Sequence, residues 1–391
     1  MRALKLLPLT AALALAAAAP ASAQSVDDID VIAEGLDNPR HVAVSQDGDV
    51  YVAESGRGGD PETSRSCFDS AEGPACTGAT GAVTRISRHW WRYRQERIAK
   101  GLASFAPESG DNAIGPHGVF VKGDDVFVTN GGPTAPTRGD PPVVVLRDPT
   151  LVSEEPVSAL YGTLLELRRH GRLRLIADIW RFEHDNNPDE QVGNPLIDSN
   201  PVDVYADRGR FFVADAGGNT VLRVSRGGRI SVAGLFPNVD TPGPGGEIIP
   251  MNAVPTGVVK GPDGALYVSQ LTGFPFPVEG ANVFRRDPMT GEFSPYASGF
   301  TNAMDLAFGR DGTLYVLEID SDSLFTPVGP SMEGGIWAVP PGGGTPQRIE
   351  LPAGTLIHPG GIAVDRGGDL LVSNRATEAG DGQVLEIELD D

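Results

Sequence analysis

The chain has 391 residues, with 31 Lys and Arg against 52 Asp and Glu and a formal charge of −21 at pH 7. So acidic a surface excludes nucleic acid as a partner and makes anionic lipid a poor one. Fifty Gly and 33 Pro, with few segments able to sustain a long helix, exclude a helix bundle and predict an all-β chain of short strands and turns.

At the N-terminus Arg2 and Lys5 precede the apolar run "LLPLTAALALAAAAP", and "ASA" at 21–23 offers small residues to a signal peptidase. Residues 1–23 are therefore predicted to be a signal peptide cleaved near Ala23, leaving 24–391 as a single domain that is secreted or periplasmic. No Cys follows the cleavage point, where a lipid-anchored chain would need one. No later run approaches the roughly 20 apolar residues that cross a bilayer, so no integral membrane segment is expected, and the mature protein is read as a monomer.

From residue 39 the chain repeats itself. "PRHVAVSQDGDVYVAES" returns as "PHGVFVKGDDVFVTN" from Pro116, "PVDVYADRGRFFVAD" from Pro201, "PTGVVKGPDGALYVSQ" from Pro255, "AMDLAFGRDGTLYVLE" from Ala303 and "PGGIAVDRGGDLLVSN" from Pro359. Each copy alternates apolar residues about an Asp- or Gly-type turn, the pattern of an antiparallel hairpin. A second strand pair follows most hairpins: "AVTRIS" and "ERIAKGL", "GTLLELRR" and "LRLIADI", "TVLRVS" and "RISVAGL", "NVFRRD" and "FSPYASGF", "GIWAVP" and "QRIELPAG". Six units of four strands, lettered a to d from axis to rim, predict a six-bladed β-propeller. The sixth unit ends after its third strand, "GQVLEIEL" at 382–389, while "IDVIAEGL" at 29–36 has the shape of a fourth strand and precedes the first hairpin. The N-terminal strand is therefore expected to complete the last blade, hiding two edges that would otherwise aggregate.

The surplus over one blade's length lies in b–c inserts at 55–80, 131–160 and 319–333 and in d–a inserts at 103–115, 180–200 and 236–253, whereas the a–b and c–d turns are short. In an up-and-down blade these long connections open on one face. One face is then plain and the other loop-rich, and binding sites favour loops held by a rigid scaffold.

On that face each b strand ends in a polar residue at one aligned position: Glu54, Asn130, Asp215, Gln270, Glu318 and Asn374. These are read as ligand-binding residues of the channel. The aligned second position of each a strand holds His41, Gly118, Asp203, Gly257, Asp305 and Gly361, with His117 one residue earlier in its copy. His41, His117, Asp203 and Asp305 are candidate ligands for a transition metal such as Zn2+, Fe2+ or Mn2+, while a ring of carboxylates and amides, all oxygen, suits Ca2+. No cofactor motif is established by the sequence; the one these residues could hold is a single divalent cation, Ca2+ or a transition metal, at the channel mouth, with His117 or His41 as a candidate general base. The same polar groups also suit a plainer task, satisfying backbone N–H groups in a wet channel.

Cys67 and Cys76, the only two cysteines, bracket "CFDSAEGPAC" in the first insert of an exported chain and are expected to form a local disulfide. It would restrain that loop by about 2.5 kcal/mol on the chain-entropy account. "SRHWWRYRQER" at 87–97 is a basic, aromatic-rich hairpin tip on the plain face, and "FEHDNNPDEQ" at 182–191 is an acidic insert that suits a cation, a lid over the channel or simply a solvated loop. No "GxSxG", "HExxH", Gly-rich phosphate loop or EF-hand pattern occurs, which removes the usual hydrolase and nucleotide routes.

The order "GLDNPRHVAV…YVAESG", a Cys-bracketed loop running into "TGATGAVTRIS", then "GPHGV", "DSNPVDV", "VPTGV" and "NAMDLAF" resembles the ScyD/ScyE family. These are exported six-bladed propellers named from gene clusters for the cyanobacterial sunscreen scytonemin. The resemblance covers essentially the mature chain. "CTGATGAVTRI" and "DSNP" are its more specific parts, and the blade motif is shared with the broader NHL and gluconolactonase-like propellers. It implies fold and export and brings no catalytic residues. In the wider group, gluconolactonase-like and paraoxonase-like propellers are similar in holding a divalent metal at the channel mouth with Glu, Asn and Asp, and lyase propellers use His in a "PHG"-like context. Glu54, Asn130, Asp203, Asp215 and His117 stand in comparable places, while glycines at several aligned positions depart from a full ligand set. Three readings remain. The first is an exported propeller binding a small molecule or an extracellular protein on its loop-rich channel face. The second is a metal-dependent hydrolase, lactonase or lyase, and the third a quinone-dependent sugar dehydrogenase.

Overall fold

The computed structural model describes residues 26–390 except 63, 65–66, 71–72, 91, 133–134, 137–143, 146–159, 169–170 and 326–330. The predicted signal peptide and most of the 131–160 insert lie outside the described residues. The chain forms a six-bladed β-propeller. Strands a to d of blade 1 are Pro39–Val44, Val50–Glu54, Gly73–His89 and Arg92–Pro107, and those of blade 2 are Pro116–Lys122, Asp125–Asn130, Thr163–Arg168 and Arg172–Asp178. Blade 3 has Pro201–Asp207, Arg210–Asp215, Thr220–Ser225 and Ile230–Leu235, and blade 4 has Pro255–Lys260, Leu266–Gln270, Ala281–Arg286 and Phe293–Phe300. Blade 5 has Ala303–Phe308, Leu314–Glu318, Gly335–Val339 and Gln347–Arg348.

Blade 6 takes strands a to c, Gly361–Val364, Leu370–Asn374 and Ala379–Leu389, from the C-terminal end and strand d, Val26–Asp37, from the N-terminal end. The two terminal strands pair antiparallel, from Val26 opposite Leu389 to Asp37 opposite Ala379. Closure is as the sequence predicts, over strands a few residues longer than the apolar pattern alone marks.

Alternation along each strand places one apolar face against the preceding blade and the other against the next, so the core is divided into wedges between blades rather than gathered in one centre. Tyr51, Val83 and Leu102 meet Val119, Val128 and Leu165 between blades 1 and 2. Phe127 and Leu164 meet Phe211, Val213 and Leu222 between blades 2 and 3. Between blades 6 and 1, Ile32, Ala33 and Leu36 of the N-terminal strand pack with Val50, Val52 and Ile86. The N-terminal strand thus supplies core as well as edge pairing.

The long connections carry elements of their own on the loop-rich face. Cys67–Ser70 pairs with the start of Gly73–His89, setting Cys67 opposite Cys76, and the predicted disulfide joins them. The hairpin Val239–Pro242 with Ile248–Met251 leads from blade 3 to blade 4. The acidic insert is a helix, Ile179–Asn186, followed by a 3-10 turn, Pro188–Val192. Asp178 starts the helix by accepting from the Arg181 N–H at 2.9 Å, and Asn187, at φ 38°, ends it by donating its N–H to the Glu183 carbonyl at 2.7 Å.

Deleting residues 24–37 removes strand d of blade 6 and three buried apolar side chains, Ile32, Ala33 and Leu36, of which Ile32 and Leu36 each carry about 1.5–3 kcal/mol of burial. The expected outcome is a chain that elutes as soluble aggregate in size-exclusion chromatography and loses its cooperative thermal transition; a monomeric product with an unchanged midpoint would mean that the blade closes without this strand.

Candidate functional site

Strand a of five blades carries one residue more than its partner strand b just after the anchor: between Pro39 and Val42, Pro116 and Val119, Pro201 and Asp203, Pro255 and Val258, and Ala303 and Asp305. Such a bulge re-aims the side chain beside it. Here it serves the aligned second position, and His41, Asp203 and Asp305 meet at the axis, with one ligand atom from each within 4.8 Å of the others.

The glycines of the alternate blades make this possible. A Cβ on Gly118 would stand 2.5 Å from the Asp203 Cα, one on Gly361 2.5 Å from the His41 Cα, and one on Gly257 3.1 Å from the Asp305 Cα. The axis holds three side chains, and the three glycines let the neighbouring backbone approach. Their absence of ligand atoms follows from packing.

Each carboxylate also ties two blades together. Asp203 accepts from the Val204 N–H on Oδ1 and from the Val258 N–H of blade 4 on Oδ2, both at 2.7 Å. Asp305 accepts from Leu306 at 2.7 Å and from Ile362 of blade 6 at 2.8 Å. His117 Nδ1 lies 3.0 Å from the Val202 carbonyl and 3.3 Å from His41 Nδ1. The carbonyl can only accept, so His117 carries its proton on Nδ1, the facing His41 Nδ1 offers a lone pair, and the His41 proton sits on Nε2. That Nε2 is 3.5 Å from Asp305 Oδ1 and has no hydrogen-bond partner among the described residues.

All four groups are buried, and burial governs their charge. It lowers His41 to about 3, helped by the neighbouring Arg40 guanidinium, and holds His117 well below the usual histidine range, helped by Arg40 and His41. It pushes Asp203 up to about 7, and it raises Asp305 well above the carboxylate range together with repulsion from Asp203. Two neutral imidazoles therefore stand beside a pair of carboxyls that resist full ionisation. Arg40 itself reaches the other way, donating to the Ala113 carbonyl at 2.7 Å and to Ser55 Oγ at 3.2 Å.

The three axial residues line a cavity of about 270 Å3 with Val42, Phe120, Tyr205 and Val258 among its walls. The wall residues follow the ring position along each strand a, so the cavity runs from the ring toward the a–b turns of the plain face. The expected site at the mouth of the loop-rich face is thus displaced inward, and the ring forms the inner end of a mostly apolar lumen.

The six b-strand ends lie elsewhere, and none borders that cavity. Glu54 accepts from the Asp37 N–H at 2.9 Å, Asp215 from Asn200 at 2.6 Å, Glu318 from Thr301 at 2.6 Å and Asn374 from Ile357 at 2.7 Å. In each case the donor is one or two residues before the anchor of the same blade. The connection entering strand a crosses the end of strand b with an unpaired N–H, and the b-strand side chain is the nearest acceptor. Gln270 accepts instead from the Asn282 N–H at 3.2 Å, and Asn130 donates to the Ala103 carbonyl at 3.3 Å. Glu54 also pairs with Arg97. Sequence reasoning saw the aligned polarity and not its direction. It passed over Arg40, whose signal was a cation inside the first apolar anchor, and it marked the acidic insert 182–191 without seeing that Glu183, three residues after Trp180 and four after Ile179, shares their buried helical face.

No family model matches the chain, and no curated protein does. Among solved structures the chain is similar to a streptogramin B lyase, 14% identical with a TM-score of 0.50 over 93% of this chain and 98% of that one. It is also similar to the holo form of the PQQ domain of a pyranose dehydrogenase from Coprinopsis cinerea, 12% identical with a TM-score of 0.50 over 94% of this chain and 98% of that one. Likeness at these identities shows the fold alone, a six-bladed β-propeller.

Two outcomes follow from this geometry. Gly361→Ala forces a Cβ against backbone and is expected to destabilise the protein by about 1–3 kcal/mol in urea unfolding; an unchanged midpoint would show that blades 6 and 1 are free to part. A carboxyl whose folded pKa is raised contributes most to stability below its unfolded value and loses that contribution as pH rises through the folded one. Metal-free protein is therefore expected to lose stability as pH climbs from 3.8 to about 7, and Asp203→Asn to flatten that slope in a pH series of urea midpoints. An equal slope in the variant would show that the pair ionises without penalty.

Proposed function

We propose that the protein is an exported ligand-binding propeller in which His41, Asp203 and Asp305 hold one divalent cation at the inner end of the channel, and that the cation receives an oxygen donor of a small molecule entering the lumen. The observation that carries this reading is the meeting of three buried ligand atoms from three blades within 4.8 Å, one of them an imidazole nitrogen without a partner. A dipositive ion would let both carboxylates ionise, removing the penalty that burial and mutual repulsion impose. One imidazole and two carboxylates suit Mn2+, Fe2+ or Zn2+ better than Ca2+. His117, its Nδ1 proton held by the Val202 carbonyl, faces His41 Nδ1 and borders the ring rather than serving as a ligand. Export, expected from residues 1–23, agrees with the Cys67–Cys76 disulfide.

A second reading is metal-dependent lyase, hydrolase or lactonase chemistry at the same ring. Asp203, raised to about 7 by burial, is the kind of acid or base that proton transfer needs near neutrality. The streptogramin B lyase similarity supports only the scaffold of this reading, and the pyranose dehydrogenase similarity does the same for quinone-dependent oxidation. The ScyD/ScyE resemblance agrees with fold and export and points to no reaction.

The test is metal content of untagged 24–391 by plasma mass spectrometry, with Asp203→Asn and His41→Ala alongside. Near-stoichiometric transition metal, lost in both variants, together with stabilisation of about 2.7 kcal/mol at a hundredfold excess over Kd, is expected. Metal-free protein whose unfolding is indifferent to Mn2+, Fe2+ and Zn2+ would sink the cation, and lactone and ester turnover by the loaded protein would favour the enzyme over the binding module.

A further inference from the structure

Cations gather at one place on the plain face of a chain whose formal charge is −21. Between blades 3 and 4 lies a cavity of about 300 Å3 lined by Arg208, Arg210, Lys260 and Arg286, with Asp207 as its one carboxylate. Turns and strand ends of two blades bring these side chains together. Arg208 and Arg210 flank Gly209 at the a–b turn of blade 3, while Lys260 ends strand a of blade 4 and Arg286 ends strand c.

The carboxylate is already engaged. Lys260 Nζ donates to Asp207 Oδ2 at 2.9 Å, and Lys260, Arg208 and Lys122 hold Asp207 below the usual carboxylate range. Among the described residues no carboxylate forms an ion pair with Arg208, Arg210 or Arg286. Asp287, next to Arg286 in sequence, turns its Oδ1 to the N–H groups of Met289 and Thr290, at 2.6 and 3.0 Å. Arg286 Nε is buried without an acceptor, and a Cβ on Gly291 would stand 2.6 Å from Arg286 Nη2. The c–d turn of blade 4 thus packs on this guanidinium without neutralising it. Register adds a second sign. Asp207 pairs with Arg210, so Arg208 and Gly209 form a two-residue turn, at φ 49° and 78°. Such a turn favours Asn, Asp or Gly at its first position, and an arginine is held there in the left-handed region at a cost.

We propose that this cavity binds the phosphate monoester of a small molecule, its dianion held by Arg208, Arg210 and Arg286 and its organic part lying against Tyr205, Phe212 and Leu266. Guanidinium forks match phosphate oxygens in bidentate pairs. Three of them without a carboxylate partner favour a dianion over the single charge of a carboxylate. The volume exceeds what a bare phosphate ion fills and stands at the lower end of small-molecule sites, and Tyr205, Phe212 and Leu266 give it apolar walls. Tyr205 and Lys260 also line the channel lumen, so the cavity adjoins the lumen on the plain face. It shares no residue with His41, Asp203 and Asp305, and either site can fail without the other.

The test is calorimetric titration of 24–391 with phenyl phosphate in phosphate-free buffer, run also on Asp203→Asn so that binding at a channel cation is told apart. Saturable binding is expected in both. Affinity is expected to fall about tenfold or more in Arg286→Gln and in Arg208→Asn, and to stay unchanged in Arg226→Gln, an exposed cation of the same face outside the cavity. Inorganic phosphate is expected to bind more weakly for want of contact with the walls, and benzoate for want of charge. No saturable binding of phenyl phosphate, its loss in Asp203→Asn, an equal fall in Arg226→Gln, or inorganic phosphate or benzoate bound as tightly overturns the proposal. Asn suits the turn at 208, so Arg208→Asn decides should Arg286→Gln fail to fold.

Discussion

Six backbones must approach one axis closely, and space there for side chains is limited to three. A Cβ on Gly118 or Gly361 would come within 2.5 Å of a neighbouring Cα, so large and absent side chains alternate round the ring. The propeller is six-fold in its blades and three-fold at its centre. Everything chemical about the channel depends on that alternation, because it delivers His41, Asp203 and Asp305 to one point and puts glycine at the same position of the other three blades, with His117 of blade 2 standing behind His41.

The same crowding sets the electrostatics. Asp203 and Asp305 each accept one N–H from their own blade and one from the next, which makes them inter-blade fasteners, while their mutual proximity in a dry environment opposes full ionisation. Four backbone hydrogen bonds favour the charged forms, and burial opposes them more strongly. A group of this kind is a fastener at low pH and, under the proposed reading, a cation seat at neutral pH. One set of residues thus serves fold and site, and substitution there disturbs both unless stability and metal content are read separately.

Polar residues on the loop-rich face divide by direction rather than by type. Glu54, Asp215, Glu318 and Asn374 face the incoming connection and satisfy its N–H groups. Glu183 and Asp189 keep oxygens that nothing among the described residues satisfies. Aligned polarity across a repeat marks a recurring backbone need, which a carboxylate that appears once, in an insert, does not share.

By itself the sequence determined the blade count, the closing of blade 6 by the N-terminal strand, the pairing of Cys67 with Cys76 and the candidacy of His41, Asp203 and Asp305. Period-2 alternation and tight turns are local properties, and six repeats of them admit few arrangements. Tertiary structure decided the rest. Whether a polar side chain at a strand end points to the axis or to a passing connection depends on a one-residue bulge and on the path of a distant loop. Glu54 and Asp203 therefore read alike in the sequence and lie in different environments. Glu183 is hydrophilic in any sequence profile; only the docking of its helix removes it from water, and burial with its acidic neighbours then raises its carboxyl to about 9.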